Sequence, residues 1–159
     1  MSKVIYVGMD VHKDHTNLVC FEPTFTADRQ GGKDFCATRI ATSAQKVRSY
    51  LETISKNQNE ECTFKCGYEA GCLGFSLYKE LRAYGIDCTV LAPTTMLTQK
   101  GKRIKTDDRD ALLIARCLAY GTYSAVVIPT EEDESVRDYI RMCDDHKLQL
   151  KVTKQRINA

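Results

Sequence analysis

Features that would assign a protein to a membrane or secreted class are missing from this sequence. Its 159 residues include no apolar run that approaches the roughly 18 residues of a membrane-spanning helix. The opening segment MSKVIYVGMDVH is polar by its tenth residue, so it lacks the apolar core of a secretory signal. These absences predict a chain that has no membrane partner and is located in the cytoplasm.

Zinc-binding cysteine spacings are also missing. The eight cysteines include no C-x-x-C pair, and the three histidines form no matching pair at zinc spacing. Several cysteines lie in apolar stretches, where the side chain packs as a small hydrophobe: Cys20, Cys66, Cys88 and Cys117. The thiols are therefore expected to be free and reduced, as in a cytosol.

Charge of one sign is not in excess. The chain has 23 Lys and Arg against 21 Asp and Glu, which gives a net charge of +2. This balance does not by itself indicate a nucleic-acid partner, so such a partner has to be inferred from local clusters. With 43% hydrophobic residues, the chain can bury the core of one domain.

The predicted elements follow the order of a mixed α/β sheet. They are strands at 3–11, 16–23 and 35–41, a helix at 42–57, a strand at 62–70, a helix at 74–85, a strand at 86–93 and a helix at 108–120. Ser43 is the expected cap of the first helix, and residues 26–34 are expected to form a turn-rich connection. Antiparallel strands followed by parallel additions predict a ribonuclease H-like sheet with flanking helices over residues 1–129.

Residues 130–159 differ in character, because they are highly charged. Their few apolar residues have the spacing of one helical face: Val136, Ile140, Met142, Leu148 and Val152. This face has no obvious partner in the chain, which predicts a homo-oligomer or docking to a further domain. The chain also stops without a helix cap or breaker, as the front part of a longer protein would.

Four acids are candidates for a shared site. Alternation along 3–11 places Asp10 near the end of a strand predicted to be central, and Glu69 closes the strand at 62–70. Asp107 and Asp110 are three residues apart, so one helical turn presents both on the same side. Helix capping by the two aspartates, and an exposed strand end for Glu69, are the simpler interpretations.

Convergence of the four carboxylates would require a positive partner, because like charges at such short distances repel each other. A hard divalent ion with oxygen ligands is the natural candidate. A pair of such ions roughly 3.5–4 Å apart is the known arrangement for phosphodiester cleavage. The four acids therefore predict a metal site that acts on nucleic acid.

A basic segment precedes the two aspartates. It contains four cations within six residues: Lys100, Lys102, Arg103 and Lys105. A solvated loop is the ordinary interpretation of such a run, but next to an acidic metal site it is expected to hold phosphates. His12 and Lys13 follow Asp10 and could contact a phosphate or a metal-bound water, with an exposed turn as the alternative.

These motifs together resemble the N-terminal half of the DEDD transposases of insertion sequences, which are relatives of the Piv-type DNA invertases. The resemblance rests on YVGMDVHKD, GYEAG, LAPTTMLTQKGKRIKTDDRDALLIARCLA and the trailing VRDYIRMCDDHKLQLKVTKQRINA. Its most specific part is the K-T-D-x-x-D-A segment downstream of the G-x-D-x-H-K strand. The family's four acids would fall on Asp10, Glu69, Asp107 and Asp110, which leaves Asp108 as a bystander.

The resemblance implies a RuvC-like domain that binds Mg²⁺ through these acids and acts on DNA in transposition and recombination. It also implies a second domain with a nucleophilic serine, a composite active site across subunits, and a structured guide RNA. Nothing in this chain matches the serine domain, so the isolated chain is expected to be incomplete for recombination. The alternatives are a non-catalytic RNA- or DNA-binding module and, with less support, an actin-like phosphotransferase, for which a second phosphate-binding turn and a Gly-rich adenosine site are missing.

Overall fold

The computed structural model describes residues 3–26, 29–58, 60–71, 73–93 and 107–158, with only the backbone for 25, 26, 29, 30 and 107. The elements are, in chain order, β1 (Lys3–Val11), β2 (His15–Thr26), β3 (Arg29–Ala41), α1 (Ala44–Lys56), β4 (Cys62–Glu69), α2 (Ser76–Ala83), β5 (Asp87–Leu91), α3 (Asp107–Tyr120) and α4 (Glu131–Ile157). Each predicted strand and helix is present, with shifted ends.

The strands form one sheet in the order β3-β2-β1-β4-β5. β2 pairs antiparallel with both β1 and β3, whereas β4 pairs parallel with both β1 and β5. β1 is therefore the central strand, as predicted, and the mixed ribonuclease H-like sheet is confirmed. The chain divides into two compact units, Met1–Val126 and Val127–Ala159.

The prediction of a turn-rich connection at 26–34 was wrong, because β3 begins at Arg29 and the hairpin is longer than its composition suggested. β2 and β3 stay paired through Pro23 opposite Gly32 and Thr24 opposite Gly31. A side chain at Gly32 would overlap the ring of Phe21 and approach the Glu22 carbonyl oxygen to 2.5 Å. Gly32 therefore allows close packing inside the sheet. The pair Gly31 and Gly32 resembles the glycine-rich composition of a turn, although both residues lie within a strand.

Helices cover both faces of the sheet. On one face, Ile5, Val7 and Met9 are fully buried, and α1 packs there, since the Tyr50 hydroxyl lies 3.3 Å from the Cys20 sulfur opposite Val7. On the other face, α3 buries a cluster of Leu91, Ile114, Cys117 and Leu118. The first helix begins after Ser43 as expected, but the Ser43 side chain makes no capping hydrogen bond.

The described cysteines are free thiols, as predicted. Cys20, Cys66, Cys88 and Cys117 are all buried among apolar side chains. Burial raises the pKa of Cys20 and that of Cys88 to about 12, because the apolar surroundings disfavour a thiolate. The four side chains pack as hydrophobes in the core.

The second unit contains the long helix α4. Its start is fixed by a capping box, in which the Asp133 N–H donates to the Thr130 hydroxyl at 3.1 Å and the Thr130 N–H donates to the Asp133 carboxylate at 3.3 Å. No residue of α4 is buried within the described chain, and Val136, Ile140 and Leu148 are more than half exposed. Among the helices described, none is long and apolar enough to cross a membrane.

Candidate metal site

Asp10 and Glu69 come together at one edge of the sheet through strand register. β1 and β4 run parallel, and their last pair is Met9 opposite Tyr68. Asp10 and Glu69 are the next residues on strands that lie roughly 4.8 Å apart. Because Met9 and Tyr68 are buried in the core, alternation directs both acids to the opposite face, which α3 covers.

The direction of α3 brings its first turn toward Asp10. Gly8 lies directly beneath the backbone of Ala111 and Ala115, so a side chain at this position would overlap the Ala111 carbonyl oxygen. Further along α3, the ring of Tyr120 meets Phe21, which is opposite Tyr6 in the ladder. Later residues of α3 thus lie over earlier residues of β1, and the start of α3 at Asp107 lies toward the Asp10 end.

The acids at this helix start differ in exposure. Asp108 is exposed, Asp110 is half-buried and Ala111 is fully buried. Only the backbone of Asp107 is described. This gradient agrees with the choice of Asp110 over Asp108, although the roles of both residues remain predictions.

Asp10 has a defined partner in His12. The carboxylate of Asp10 is 20% exposed, and its Oδ2 lies 3.0 Å from Nε2 of His12, where a protonated Nε2 donates. The ring of His12 stacks on that of His15 at 4.6 Å, and the Thr42 hydroxyl donates to the His12 carbonyl at 2.7 Å. His12 therefore contacts the acid itself, whereas the neighbouring Lys13 lies in an exposed turn and its phosphate contact remains a prediction.

Asn17 is a polar residue of this region that the sequence interpretation missed. It is the direct cross-strand partner of Asp10, it is only 3% exposed, and its Nδ2 has no hydrogen-bond partner among the described residues. The signal in the sequence was an asparagine inside the apolar strand TNLVCF. Thr16 beside it is also buried, but its hydroxyl pairs with that of Thr42 at 2.9 Å.

The donor set suits a hard cation, but a complete site is not assembled in the described part of the chain. Asp10, Glu69 and Asp110 offer only carboxylate oxygens, the ligands that Mg²⁺ and Mn²⁺ prefer. Within the described side chains, which exclude Asp107, no three His, Cys, Asp or Glu residues are grouped closely enough to hold an ion. The four-carboxylate site therefore stays a prediction. The basic segment with Lys100, Lys102, Arg103 and Lys105 lies outside the described residues.

Comparisons with known proteins agree with these motifs. The family model of IS110-type DEDD transposases, described as a transposase, matches residues 7–159. The transposase for insertion sequence element IS1533 of Leptospira borgpetersenii is 33% identical over 159 residues, which are 99% of this chain and 43% of that protein. The putative transposase y4qE of Sinorhizobium fredii is 32% identical over 154 residues, which are 97% of this chain and 37% of that protein. The chain thus spans less than half the length of these relatives.

Two solved structures of Thermus thermophilus RuvC are also similar. The match to the first covers 77% of this chain and 99% of the RuvC chain, with a TM-score of 0.49 and 11% sequence identity. The other, in complex with a Holliday junction substrate, has the same coverage and identity with a TM-score of 0.46.

Proposed function

This chain belongs to the DEDD transposase family, and from that premise we propose that it is the metal-binding, DNA-acting part of a transposase. Asp10, Glu69, Asp107 and Asp110 are the proposed ligands of Mg²⁺, or of Mn²⁺ in its place. The observation that carries this proposal is the register of β1 and β4, which sets Asp10 and Glu69 side by side at the edge toward which the first turn of α3 points.

The four acids have different proposed tasks. Asp10 lies on the central strand, between β2 and β4, and would hold the ion from the middle of the sheet. Glu69 is exposed at a strand end, where its carboxylate would be a further ligand of the ion. A bound divalent ion would neutralise the carboxylates and polarise a phosphodiester. The residues of the chain contribute by holding the ion and orienting the DNA strand next to it.

The proposed DNA contact is the basic segment at 100–105, together with Lys13. Phosphates must approach the acids against their negative charge, and a cluster of cations beside the site lowers that barrier. Lys13 supports this assignment because it is exposed in the turn that follows Asp10. A structured guide RNA is a further proposed partner, for which the family resemblance is the support.

A serine-bearing domain and a second subunit are proposed to complete the site. The matched region makes up only 43% and 37% of the two relatives, so the remainder of each relative is long enough to contain a further domain. In this division of roles, the present chain holds the metal ion, and the covalent nucleophile comes from the serine-bearing domain. Strand exchange should therefore fail with this chain alone, and recombinant product from it would refute the division.

The test is DNA binding and cleavage on linear and branched duplexes, with Mg²⁺, with Mn²⁺ and in chelator. We expect the ions to strengthen binding in the unchanged chain and in Asp108→Asn, and to have no effect in Asp10→Asn. Asp108 is the matched control because it lies in the same turn of α3 and is exposed. Binding that neither the ions nor Asp10→Asn alter would favour the non-catalytic nucleic-acid-binding module instead.

A further inference from the structure

Within the part of the chain that the structure describes, the side-chain amide of Asn17 is a buried donor without an acceptor. Asn17 is only 3% exposed to solvent, and its Nδ2 makes no hydrogen bond to any residue that the structure describes. A buried amide group in this condition is costly, and native proteins retain few of them. Such a group indicates an acceptor that arrives with a ligand or with a change at a neighbouring side chain.

The register of the sheet restricts which acceptor this is. Asn17 is flanked on its own face by its two cross-strand partners, Asp10 in β1 and Arg39 in β3. An arginine side chain carries only donors, whereas an ionised carboxylate carries only acceptors. Directly opposed residues in antiparallel strands have Cα atoms roughly 4.5–5.5 Å apart, which is within reach of two such short side chains. Of these two neighbours, only the carboxylate of Asp10 can accept a hydrogen bond from Asn17.

In the structure, the Oδ2 of Asp10 lies 3.0 Å from the His12 ring, and no hydrogen bond joins Asp10 to Nδ2 of Asn17. We propose that Asn17 is a positioning residue for the metal site, which donates through Nδ2 to the Asp10 carboxylate when a divalent cation is bound. This assignment rests on the proposed metal-binding function. The proposed hydrogen bond links metal affinity to a side chain that does not touch the ion.

A residue with a purely structural role would change stability and metal affinity together, whereas the proposed role of Asn17 separates the two. Asn17→Leu has a similar volume and no donor, so it removes the unpaired amide from the metal-free protein. We expect its melting temperature in chelator to equal or exceed that of the unchanged chain. Its dissociation constant for Mn²⁺, measured by calorimetry, should rise about 10- to 100-fold, as is usual when a partner of a metal ligand is removed.

Thr16→Val is the matched control. Thr16 is the adjacent buried residue of β2, it faces the other side of the sheet, and its hydroxyl is already paired with Thr42. This variant should lower the melting temperature and leave the dissociation constant for Mn²⁺ unchanged. Opposite changes in the two variants would distinguish positioning from a general disturbance of β2.

A spectroscopic measurement on the unchanged 159-residue chain completes the test. The Asn17 side-chain NH₂ signals can be identified by their loss in Asn17→Leu, and Mg²⁺ should move one of them downfield as the hydrogen bond forms. If Mg²⁺ and Mn²⁺ bind while the signals and the affinity of Asn17→Leu stay unchanged, the role of Asn17 is refuted and the metal site stands. If neither ion binds to the unchanged chain, the metal site itself is refuted, and this assignment with it.

Discussion

Replacing Gly8 by alanine tests the close contact between β1 and α3 on which the position of the site depends. The added methyl group would overlap the Ala111 carbonyl oxygen and lie 2.5 Å from the Ala115 nitrogen. Both contacts are with helix backbone, which cannot rotate away as a flexible side chain can. Ala111 and Ala115 are fully buried, so α3 would have to move as a whole.

The size of the effect follows from the cost of overpacking. Extra methyl groups in well-packed cores cost about 1–3 kcal/mol, and a clash with backbone at two residues belongs at the upper end. The alanine restricts the unfolded chain and offsets about 0.4–1 kcal/mol of this cost. At about 2–4 °C per kcal/mol for a chain of this size, a net loss of about 2 kcal/mol lowers the melting temperature by roughly 4–8 °C.

Thermal unfolding followed by circular dichroism measures this change, and Gly31→Ala is the matched control. Among the described residues beyond its two chain neighbours, the nearest atom to a side chain at Gly31 would be the Thr24 carbonyl oxygen, at 4.0 Å. Its stability should stay within about 0.5 kcal/mol of the unchanged chain. Gly8→Ala should also weaken Mn²⁺ binding, because a displaced α3 carries Asp110 away from Asp10. Equal melting temperatures for the two variants would refute the close approach of α3 to Gly8.

Three further predictions concern the acids, the basic segment and the thiols. Asp10→Asn should raise the melting temperature in chelator and abolish the stabilisation by Mn²⁺. That stabilisation is about 1.4 kcal/mol at an ion concentration ten times the dissociation constant, and Asp108→Asn should retain it. Loss of the Mn²⁺ response in Asp108→Asn alone would show that the wrong acid was chosen. Replacing the four cations of 100–105 by glutamine should weaken binding to all DNA sequences alike and flatten the log–log salt dependence by up to roughly 0.9 per lost phosphate contact; an unchanged slope would assign the segment to solvent. At pH 8, iodoacetamide should label the exposed Cys36 and spare Cys20, because burial raises the pKa of Cys20 to about 12. Since only the unfolded chain releases that proton near pH 9, this thiol should also lower stability as the pH rises from 9 toward 12; rapid labelling of Cys20 in the folded chain would contradict its burial.

Local patterns in the sequence determined the kind and order of the elements. The alternation in 3–11 predicted a strand and placed Asp10 on the face opposite Ile5, Val7 and Met9, which are fully buried. Gly85 ends the segment after α2 with a positive φ of 74°, as a glycine after a helix is expected to do. Such features depend on residues a few positions apart, and periodicity reports them directly.

Contacts between distant parts of the chain decided the rest. The role of Gly32 depends on the ring of Phe21 in another strand, so its turn-like composition was misleading. The importance of Asn17 depends on its being opposite Asp10, and that of Gly8 on the passage of α3 above it. The sequence alone identified Asp10 and Glu69 as candidate acids, but only the parallel register of β1 with β4 made them neighbours. Register and helix direction are set by the packing of whole elements, because a pattern within one strand is compatible with several partners until the core closes around it.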